Sequence, residues 1–143
     1  MLEKTLVIIK PDAVKRGLVG AILTAYESKG LKIIKMKFGI PQMNLLKRHY
    51  SEHEGKAFYD KLLTFMQSGE AVFMVLAGEK AIETVRYING ATHYLEAENG
   101  SIRGQYAFDL TENLVHGSDG PVSAKREIEI WFGPESSGEE VNA

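Results

Sequence analysis

Two continuously apolar segments constrain the fold of this chain most strongly. Thr5–Ile9 and Ala71–Ala77 are rich in β-branched and other apolar residues and show no alternation with polar ones. Runs of this kind are typical of strands that are buried on both faces or lie centrally in a sheet. We therefore expect these two segments to be the inner strands of one sheet.

Two further segments predict the outer strands. Leu31–Phe38 alternates in its second half, as an edge strand does. The two sides of this strand are Ile34, Met36 and Phe38 against Lys35 and Lys37. Asn113–His116 is predicted to be the fourth and shortest strand.

Helical periodicity separates these strands. Gly20–Lys29 has one apolar face and ends at Gly30, and Lys80–Asn89 has another and ends at Gly90. Glycine is favoured just after the last residue of a helix. The predicted order is therefore β-α-β-β-α-β, with additional helical segments between the second and third strands.

The inserted segments are Met43–Tyr50 and Phe58–Met66. The second carries two apolar stripes, which are Phe58, Leu62 and Phe65 on one side and Tyr59, Leu63 and Met66 on the other. One stripe can fill the core while the other lines a pocket or a subunit contact; alternatively both are buried. A last amphipathic helix begins at Pro121 and ends before Gly133.

The length and composition predict one domain. The chain has 143 residues, of which 44% are hydrophobic, and no long linker divides it. We expect residues 1–134 to form the domain and residues 135–143, which are rich in Ser, Gly and Glu, to be a flexible tail. Cysteine is absent and no apolar run approaches the roughly 20 residues of a membrane span, so we expect a cytoplasmic protein without a membrane partner.

Charge and glycine spacing exclude several classes of ligand site. The net charge is −2 and the pI is about 6.1, so no overall positive field favours nucleic acid. The glycines form neither a Walker A motif nor a G-x-G-x-x-G motif. His49 and His53 have the i,i+4 spacing of metal ligands. The residues around them are typical of a helix end followed by a loop, and no third ligand lies nearby in the sequence. We therefore expect no metal held by the protein.

The segment from Asn113 to Asp119, Asn-Leu-Val-His-Gly-Ser-Asp, is the best candidate for chemistry. His116 lies between a short apolar strand and a turn, with a hydroxyl and a carboxylate within three residues. An unperturbed imidazole is mostly unprotonated at neutral pH and so carries a free lone pair. His116 could act as a base, a ligand or a nucleophile, or it could be a buried core histidine.

Three segments of the chain together resemble the sequence of a known family. They are the histidine segment, Thr5–Asp12 with its Lys-Pro-Asp, and Gly100–Gly104, which reads Gly-Ser-Ile-Arg-Gly. With them the chain resembles the nucleoside diphosphate kinases from about residue 3 to residue 133. The resemblance implies an α+β, ferredoxin-like βαββαβ sandwich with a four-stranded antiparallel sheet and inserted helices.

The resemblance also implies roles for individual residues. His116 would take the γ-phosphate of a nucleoside triphosphate such as ATP and pass it to a nucleoside diphosphate such as GDP, in a ping-pong cycle through phosphohistidine. Phe58 would stack on the base, Leu62 would extend that surface, and Ser118 and Glu127 would orient the histidine. The positions matching those around phosphates and ribose are Lys10, Tyr50, Arg86, Thr92, Arg103 and Asn113.

Cofactor and assembly follow from the same resemblance. Mg²⁺ would arrive bound to the nucleotide phosphates, and the chain would form a homo-oligomer, either a tetramer or a hexamer. Three segments depart from the family pattern: Gly90–Tyr94 lacks the usual Asn-Pro, Ser68–Glu70 lacks the usual proline, and Gly120–Val122 replaces a Ser-Val-Glu-like stretch. None of these changes removes the nucleophile or a phosphate contact, so we expect activity.

Two other functions compete with this one. A regulatory nucleotide-binding protein without turnover would normally lack His116, Lys10 or Arg103, and all three are present. A different phosphohistidine enzyme, such as a mutase or phosphatase, would place arginines beside the histidine in sequence and would leave Phe58 without a role.

Overall fold

The computed structural model describes residues 2–137, which form a four-stranded sheet with helices on both faces. In chain order the elements are β1 (Leu2–Ile9), α1 (Pro11–Lys15), α2 (Val19–Ser28), β2 (Lys32–Gly39), α3 (Met43–His49), α4 (Tyr59–Met66), β3 (Ala71–Glu79), α5 (Ala81–Asn89), α6 (Ile102–Tyr106), β4 (Val115–Gly117) and α7 (Pro121–Phe132). Short 3₁₀ helices cover Ser51–His53 and Pro134–Ser137.

The sheet has the strand order β2-β3-β1-β4, and every neighbouring pair is antiparallel. The two inner strands are therefore β1 and β3, which confirms the prediction from their continuous apolar sequences. Together with the helices that connect the strands, this order gives the predicted α+β, ferredoxin-like architecture.

Each face of the sheet has its own hydrophobic core. Val7 and Ile9 face α2 and α5, where they pack with Ile22 and Val85. On the opposite face, Leu6 and Ile8 pack with side chains of α3, α4 and α7, namely Leu46, Leu63, Ile128 and Trp131. Because successive strand residues point to opposite faces and both faces are covered, the inner strands need apolar residues at every position.

The edge strand β2 was predicted correctly in place, but its sides are arranged differently. A register shift separates Ile33 from Lys35, and Ile34 packs with the α3–α4–α7 core. Met36 and Phe38 pair with residues of the other face and are largely exposed. The predicted grouping of Ile34 with Met36 and Phe38 is wrong, because the irregular pairing moves Ile34 to the lysine side.

The main helices confirm the predicted ones within one or two residues at each end. Gly30 and Gly90 follow α2 and α5 with positive φ values of 82° and 85°, as the predicted helix ends require. In α4, Leu63 and Met66 are buried in the core while Phe58 precedes the helix and is 46% exposed. The short helices α1 and α6 were not predicted, since five residues are too few for a clear periodicity.

The fourth strand begins two residues later than predicted. Leu114 has a φ of 77°, outside the β region, so pairing with β1 starts at Val115. Strand β4 then continues one residue beyond His116, to Gly117. The side-chain pattern could not reveal this, because an apolar residue such as Leu114 rarely adopts a positive φ.

The predicted flexible tail falls largely outside the described residues. Pro134–Ser137 forms a 3₁₀ helix in which Ser136 is buried and bonds to Phe132 and Lys35. Residues 138–143 lie outside the described range, so the tail stays a prediction for them. Within residues 2–137 no helix is long and apolar enough to cross a bilayer.

Candidate active site

Strand β4 places His116 on a defined face of the sheet. His116 pairs with Ile8 of β1, and Ile8 belongs to the core formed with α3, α4 and α7. Directly opposed residues of an antiparallel pair point to the same side. The imidazole is therefore directed toward α3 and α7 rather than toward α2 and α5.

Helix α7 supplies the carboxylate that meets this imidazole. Nε2 of His116 lies 2.8 Å from Oε1 of Glu127, and the Ser118 hydroxyl donates to the same oxygen, also at 2.8 Å. Ser118 is fully buried and its Oγ accepts the backbone N–H of Leu6 at 3.2 Å. A chain of hydrogen bonds thus connects the backbone of β1 to the histidine ring.

The charge of Glu127 decides the protonation of the ring. Burial alone would raise the pKa of Glu127, but its hydrogen bond to His116, the charges of His116 and His49, and the Ser118 hydroxyl outweigh burial and hold the pKa below its ordinary value. An ionised carboxylate only accepts hydrogen bonds, so Nε2 of His116 is the donor. In the neutral ring, Nδ1 then carries the lone pair. Within residues 2–137 no group is hydrogen-bonded to this Nδ1.

A second histidine packs edge-on against the first. The rings of His49 and His116 are 4.7 Å apart at 76°. Trp131 donates its indole N–H to Nδ1 of His49 at 3.0 Å, and an indole can only donate. The neutral His49 ring therefore carries its proton on Nε2. Burial, followed by the neighbouring His116, lowers the pKa of His49 well below its usual value, so this ring stays neutral.

The atoms of His49, His116 and Glu127 that could ligate a metal lie within 4.8 Å of one another, which is close enough for a metal site. The hydrogen bonds argue against one. Trp131 occupies Nδ1 of His49, the proton occupies its Nε2, and Nε2 of His116 donates to Glu127. A metal ligand needs a free lone pair on the imidazole. The cluster is better described as a hydrogen-bonded support for His116.

His116 lies in a cleft of about 350 Å³, a size that suits a small-molecule ligand. The cleft brings together eight of the residues singled out in the sequence, which are Lys10, Tyr50, Arg86, Thr92, Arg103, Asn113, His116 and Glu127. Ser118 lies behind the histidine. Phe58 and Leu62 are outside the cleft wall: Leu62 packs against the core, and the Phe58 ring contacts that of His53, which does line the cleft, at 5.1 Å.

Lys10 is held at the end of β1 by a partner from the segment before β4. Its ammonium donates to Oδ1 of Asn113 at 2.8 Å. Burial, followed by the nearby Arg103, lowers the pKa of Lys10 to about 8, while Asp12 acts in the opposite direction. A buried ammonium with one neutral acceptor is poised to gain from an anionic ligand.

Arg103 binds the backbone around the histidine segment. Its guanidinium donates to the carbonyl oxygens of Asn113, Gly90 and Val115 at 3.2, 2.8 and 2.6 Å. A guanidinium has five N–H donors, so two remain for a ligand. Arg86 approaches from α5, where one of its nitrogens is 3.5 Å from the Gly117 carbonyl.

Two polar atoms beside the cleft have no hydrogen-bond partner among the described residues. They are the hydroxyl of Tyr50 and Nδ1 of His53, both of which are buried. Their rings stack with centroids 6.2 Å apart, and both residues line the cleft. Burial raises the pKa of Tyr50, so its hydroxyl stays protonated and can donate to a ligand.

Among the cleft residues that sequence reasoning missed are His49 and Asn89. Asn89 is 1% exposed, accepts the Tyr26 hydroxyl at 2.6 Å and lines the cleft beside Gly117. A buried asparagine at the end of an apolar helix face was the available signal. For His49 the spacing to His53 was misleading, because the ring contact of His49 is with His116, which is distant in sequence.

Comparisons with known proteins agree with this geometry. The family model described as nucleoside diphosphate kinase matches residues 3–137. A nucleoside diphosphate kinase of Thermoanaerobacter sp. (strain X514) is 52% identical over 131 residues, which cover 92% of this chain and 97% of that protein. The Schizosaccharomyces pombe enzyme is 47% identical over 132 residues, covering 92% and 87%.

Solved structures show the same likeness. The nucleoside diphosphate kinase of Halobacterium salinarum in complex with CDP superposes with a TM-score of 0.92 at 42% identity and covers 99% of this chain and 95% of that one. The apo enzyme of Encephalitozoon cuniculi also gives a TM-score of 0.92, at 36% identity, with coverages of 98% and 94%.

Proposed function

This chain belongs to the nucleoside diphosphate kinase family, and from that premise we propose that His116 is the residue that carries the phosphoryl group. The protein is a phosphotransferase that moves the γ-phosphate of a nucleoside triphosphate to a nucleoside diphosphate. The observation that carries the proposal for His116 is its hydrogen bond to Glu127, which engages Nε2 and leaves Nδ1 as the free nitrogen in the cleft.

In the first half-reaction the lone pair of Nδ1 attacks the γ-phosphorus. The bond from that phosphorus to the β,γ-bridging oxygen breaks, and the nucleoside diphosphate leaves with the electron pair. The Nε2 proton stays hydrogen-bonded to Glu127, whose negative charge stabilises the ring as it becomes cationic. The second half-reaction reverses these steps with another nucleoside diphosphate and restores the free histidine.

The cations of the cleft bind the phosphate chain. Lys10, Arg86 and Arg103 line the same cleft as His116. Phosphoryl transfer places its charge on nonbridging oxygens, so positioning and charge stabilisation supply most of the catalysis. The hydroxyl of Tyr50, which has no partner among residues 2–137, and the side chain of Thr92 add neutral donors.

The family depends on Mg²⁺, and we expect the ion to be held mainly by nucleotide phosphates. The cleft carboxylates fit this arrangement: Glu127 is committed to His116 and Ser118, while Asp119 and Glu52 line the cleft without forming a cage with it. Mg²⁺ would neutralise charge on the phosphates.

Phe58 and Leu62 provide the surface for the base. Phe58 is 46% exposed, stands next to His53 and has Lys56 above its ring at 5.9 Å. An exposed aromatic face can stack on any base, which suits an enzyme that uses both purines and pyrimidines. The similar Halobacterium salinarum enzyme was solved in complex with CDP, a pyrimidine nucleotide.

We further propose a cytoplasmic homo-oligomer, either a tetramer or a hexamer. The absence of cysteine favours a reducing compartment. The exposed apolar side chains of the monomer, among them Phe38, Leu95 and Phe108, favour burial against other copies. His93 and Tyr94, which replace the family's Asn-Pro, stack on each other at 5.1 Å and do not choose between the two assemblies.

The test is to incubate the protein with Mg²⁺ and γ-labelled ATP, remove the nucleotide, and assay for acid-labile, alkali-stable label. We expect the label to form and to be discharged by GDP or UDP with formation of the triphosphate. His116→Asn should bind ATP and retain no label. A labelled His116→Asn protein would contradict the assignment, and ATP binding without any label in the wild type would favour a regulatory binder.

A further inference from the structure

Leu114 adopts a backbone conformation that leucine rarely takes. Its φ is 77°, and among the described residues Lys80 is the other non-glycine with a positive φ. The N–H of Val115 donates to the carbonyl of Asn113 at 2.9 Å, which closes a three-residue turn around Leu114. A turn with this bond and this sign of φ is the strained form of the γ-turn. We call residues 113–115 the Leu114 turn.

The segment after β1 binds both polar backbone groups of Leu114. The N–H of Lys10 donates to the Leu114 carbonyl at 2.8 Å, and the N–H of Leu114 donates to Oδ2 of Asp12 at 3.1 Å. The Leu114 side chain is fully buried. A strained residue persists only where its surroundings determine its conformation, and here Asp12 supplies the contact to its amide.

The Asp12 carboxylate is kept in place at an electrostatic disadvantage. Asp12 is buried, and its second oxygen, Oδ1, has no hydrogen-bond partner within residues 2–137. A carboxylate in such a position is disfavoured unless a specific contact requires it. Its other oxygen accepts the amide of Leu114, which is 102 positions away in sequence, and through this contact Asp12 joins the segment after β1 to the Leu114 turn.

The Leu114 turn determines where three residues of the cleft lie. Asn113 is the first residue of the turn, and its Oδ1 accepts from Lys10 at 2.8 Å, while His116 follows the turn directly. Arg103 donates to the carbonyls of the first and last residues of the turn, Asn113 and Val115. A change at Leu114 would therefore move the phosphate-binding side chains relative to the nucleophile.

We propose that Asp12 is a positioning residue for phosphoryl transfer, which holds the Leu114 turn so that Lys10, Asn113 and His116 keep their mutual geometry. The inference rests on the proposed role of His116. It assigns to Asp12 no contact with substrate, because the residue is absent from the lining of the cleft and acts through the Leu114 amide.

The experiment compares three substitutions of Asp12 in the full chain. Asp12→Ala removes the acceptor, Asp12→Glu keeps the charge but displaces the oxygen, and Asp12→Asn keeps an oxygen at the same distance. Ile22→Val, on the buried face of α2, is the control for lost stability without a change at the turn. The readouts are the single-turnover rate of His116 phosphorylation by ATP, the affinity for ADP, and hydrogen exchange at the Leu114 amide.

We expect Asp12→Ala and Asp12→Glu to slow phosphorylation by up to about 100-fold, the cost typical of an ångström-scale misplacement of reacting groups. Both variants should lose protection from hydrogen exchange at the Leu114 amide. Asp12→Asn should keep the wild-type rate and the wild-type protection, and so should Ile22→Val. If Asp12→Ala does not fold, Asp12→Glu supplies the comparison.

Wild-type rates in Asp12→Glu or Asp12→Ala, with the exchange protection lost, would overturn the proposal, since the turn would then be irrelevant to transfer. Equal losses in Asp12→Asn and Asp12→Ala would also overturn it, because the acceptor would not be the cause. Absence of phosphohistidine in the wild-type protein would instead reject the role of His116, whatever the variants do.

Discussion

Oε1 of Glu127 lies 2.8 Å from Nε2 of His116, although the two residues belong to different elements, α7 and β4. The pKa of Glu127 is lowered despite its burial, so the carboxylate is charged and the ring must donate. This relationship selects the tautomer of His116 and leaves Nδ1 as the nitrogen that would take the phosphoryl group in the role proposed for His116. We therefore expect substitution of Glu127 to affect the histidine directly.

Replacing Glu127 by Gln should therefore impair transfer more than binding. The neutral amide no longer selects the Nε2–H tautomer, and we expect phosphohistidine formation to fall by at least about 100-fold, since a similar change in serine proteases costs up to about 10⁴. The affinity for ADP should change little. Single-turnover labelling and calorimetry measure the two effects, and Glu129→Gln on the same helix is the control. A wild-type labelling rate in Glu127→Gln would contradict this role.

Burial and the nearby Arg103 lower the pKa of Lys10 to about 8, although Asp12 acts in the opposite direction. This pKa predicts a pH-dependent affinity. Bound phosphate raises the pKa of Lys10, so the complex takes up a proton wherever the free protein has lost it. ADP affinity should be constant below about pH 7 and should fall above about pH 8, by at most tenfold per pH unit for one group.

Calorimetry at about pH 8.5 in buffers of different ionisation enthalpy should therefore show proton uptake on ADP binding. Lys10→Arg keeps its charge throughout this range and should abolish the uptake. An ADP affinity that is constant between about pH 7 and pH 9, with no uptake in the wild type, would show that Lys10 is already charged in the free protein.

The contact between Trp131 and His49 predicts one tautomer for the buried ring. Nitrogen-resolved NMR should find His49 neutral with its proton on Nε2, and burial should keep it neutral below the pH at which an ordinary histidine becomes charged. Trp131→Phe removes the donor and should allow the other tautomer. A protonated His49 in the wild type near neutral pH would contradict the arrangement.

Tyr26 and Asn89 form a buried pair whose removal should depend on the partner. Tyr26→Phe leaves Oδ1 of Asn89 without its donor at 2.6 Å, so the free energy of unfolding should fall by about 1–3 kcal/mol. Adding Asn89→Leu makes the pair apolar and should recover most of that loss. Urea denaturation of the two single variants and the double variant measures the coupling. Additive losses would contradict the prediction.

Phe58→Ala tests the base-stacking surface. We expect nucleotide binding to weaken by about 1–3 kcal/mol, the range of one base–aromatic stacking contact. Because Phe58 is half-exposed, the thermal stability should change little. Tyr87→Ala, which removes another exposed aromatic outside the cleft, is the control for binding. An unchanged affinity for both ADP and CDP would place the base elsewhere.

The sequence alone predicted the order of the strands and of the main helices because local patterns report burial. The continuous apolar runs of β1 and β3 identified the inner strands, and Gly30 and Gly90 marked the ends of α2 and α5. The family resemblance named eight residues that line the cleft together with Phe58 and Leu62, which lie outside its wall, and their roles stay predictions. These successes depend on side-chain type and spacing, which the chain carries without folding.

Only the tertiary structure decided how the reactive groups are held. His49 and His116 are 67 positions apart in the sequence yet their rings are 4.7 Å apart, and Trp131 sets the tautomer of the first. The start of β4 at Val115 likewise depends on Asp12, which binds the Leu114 amide from the far end of β1. Tautomers, buried pKa values and strained turns are set by contacts distant in sequence, so no local pattern contains them.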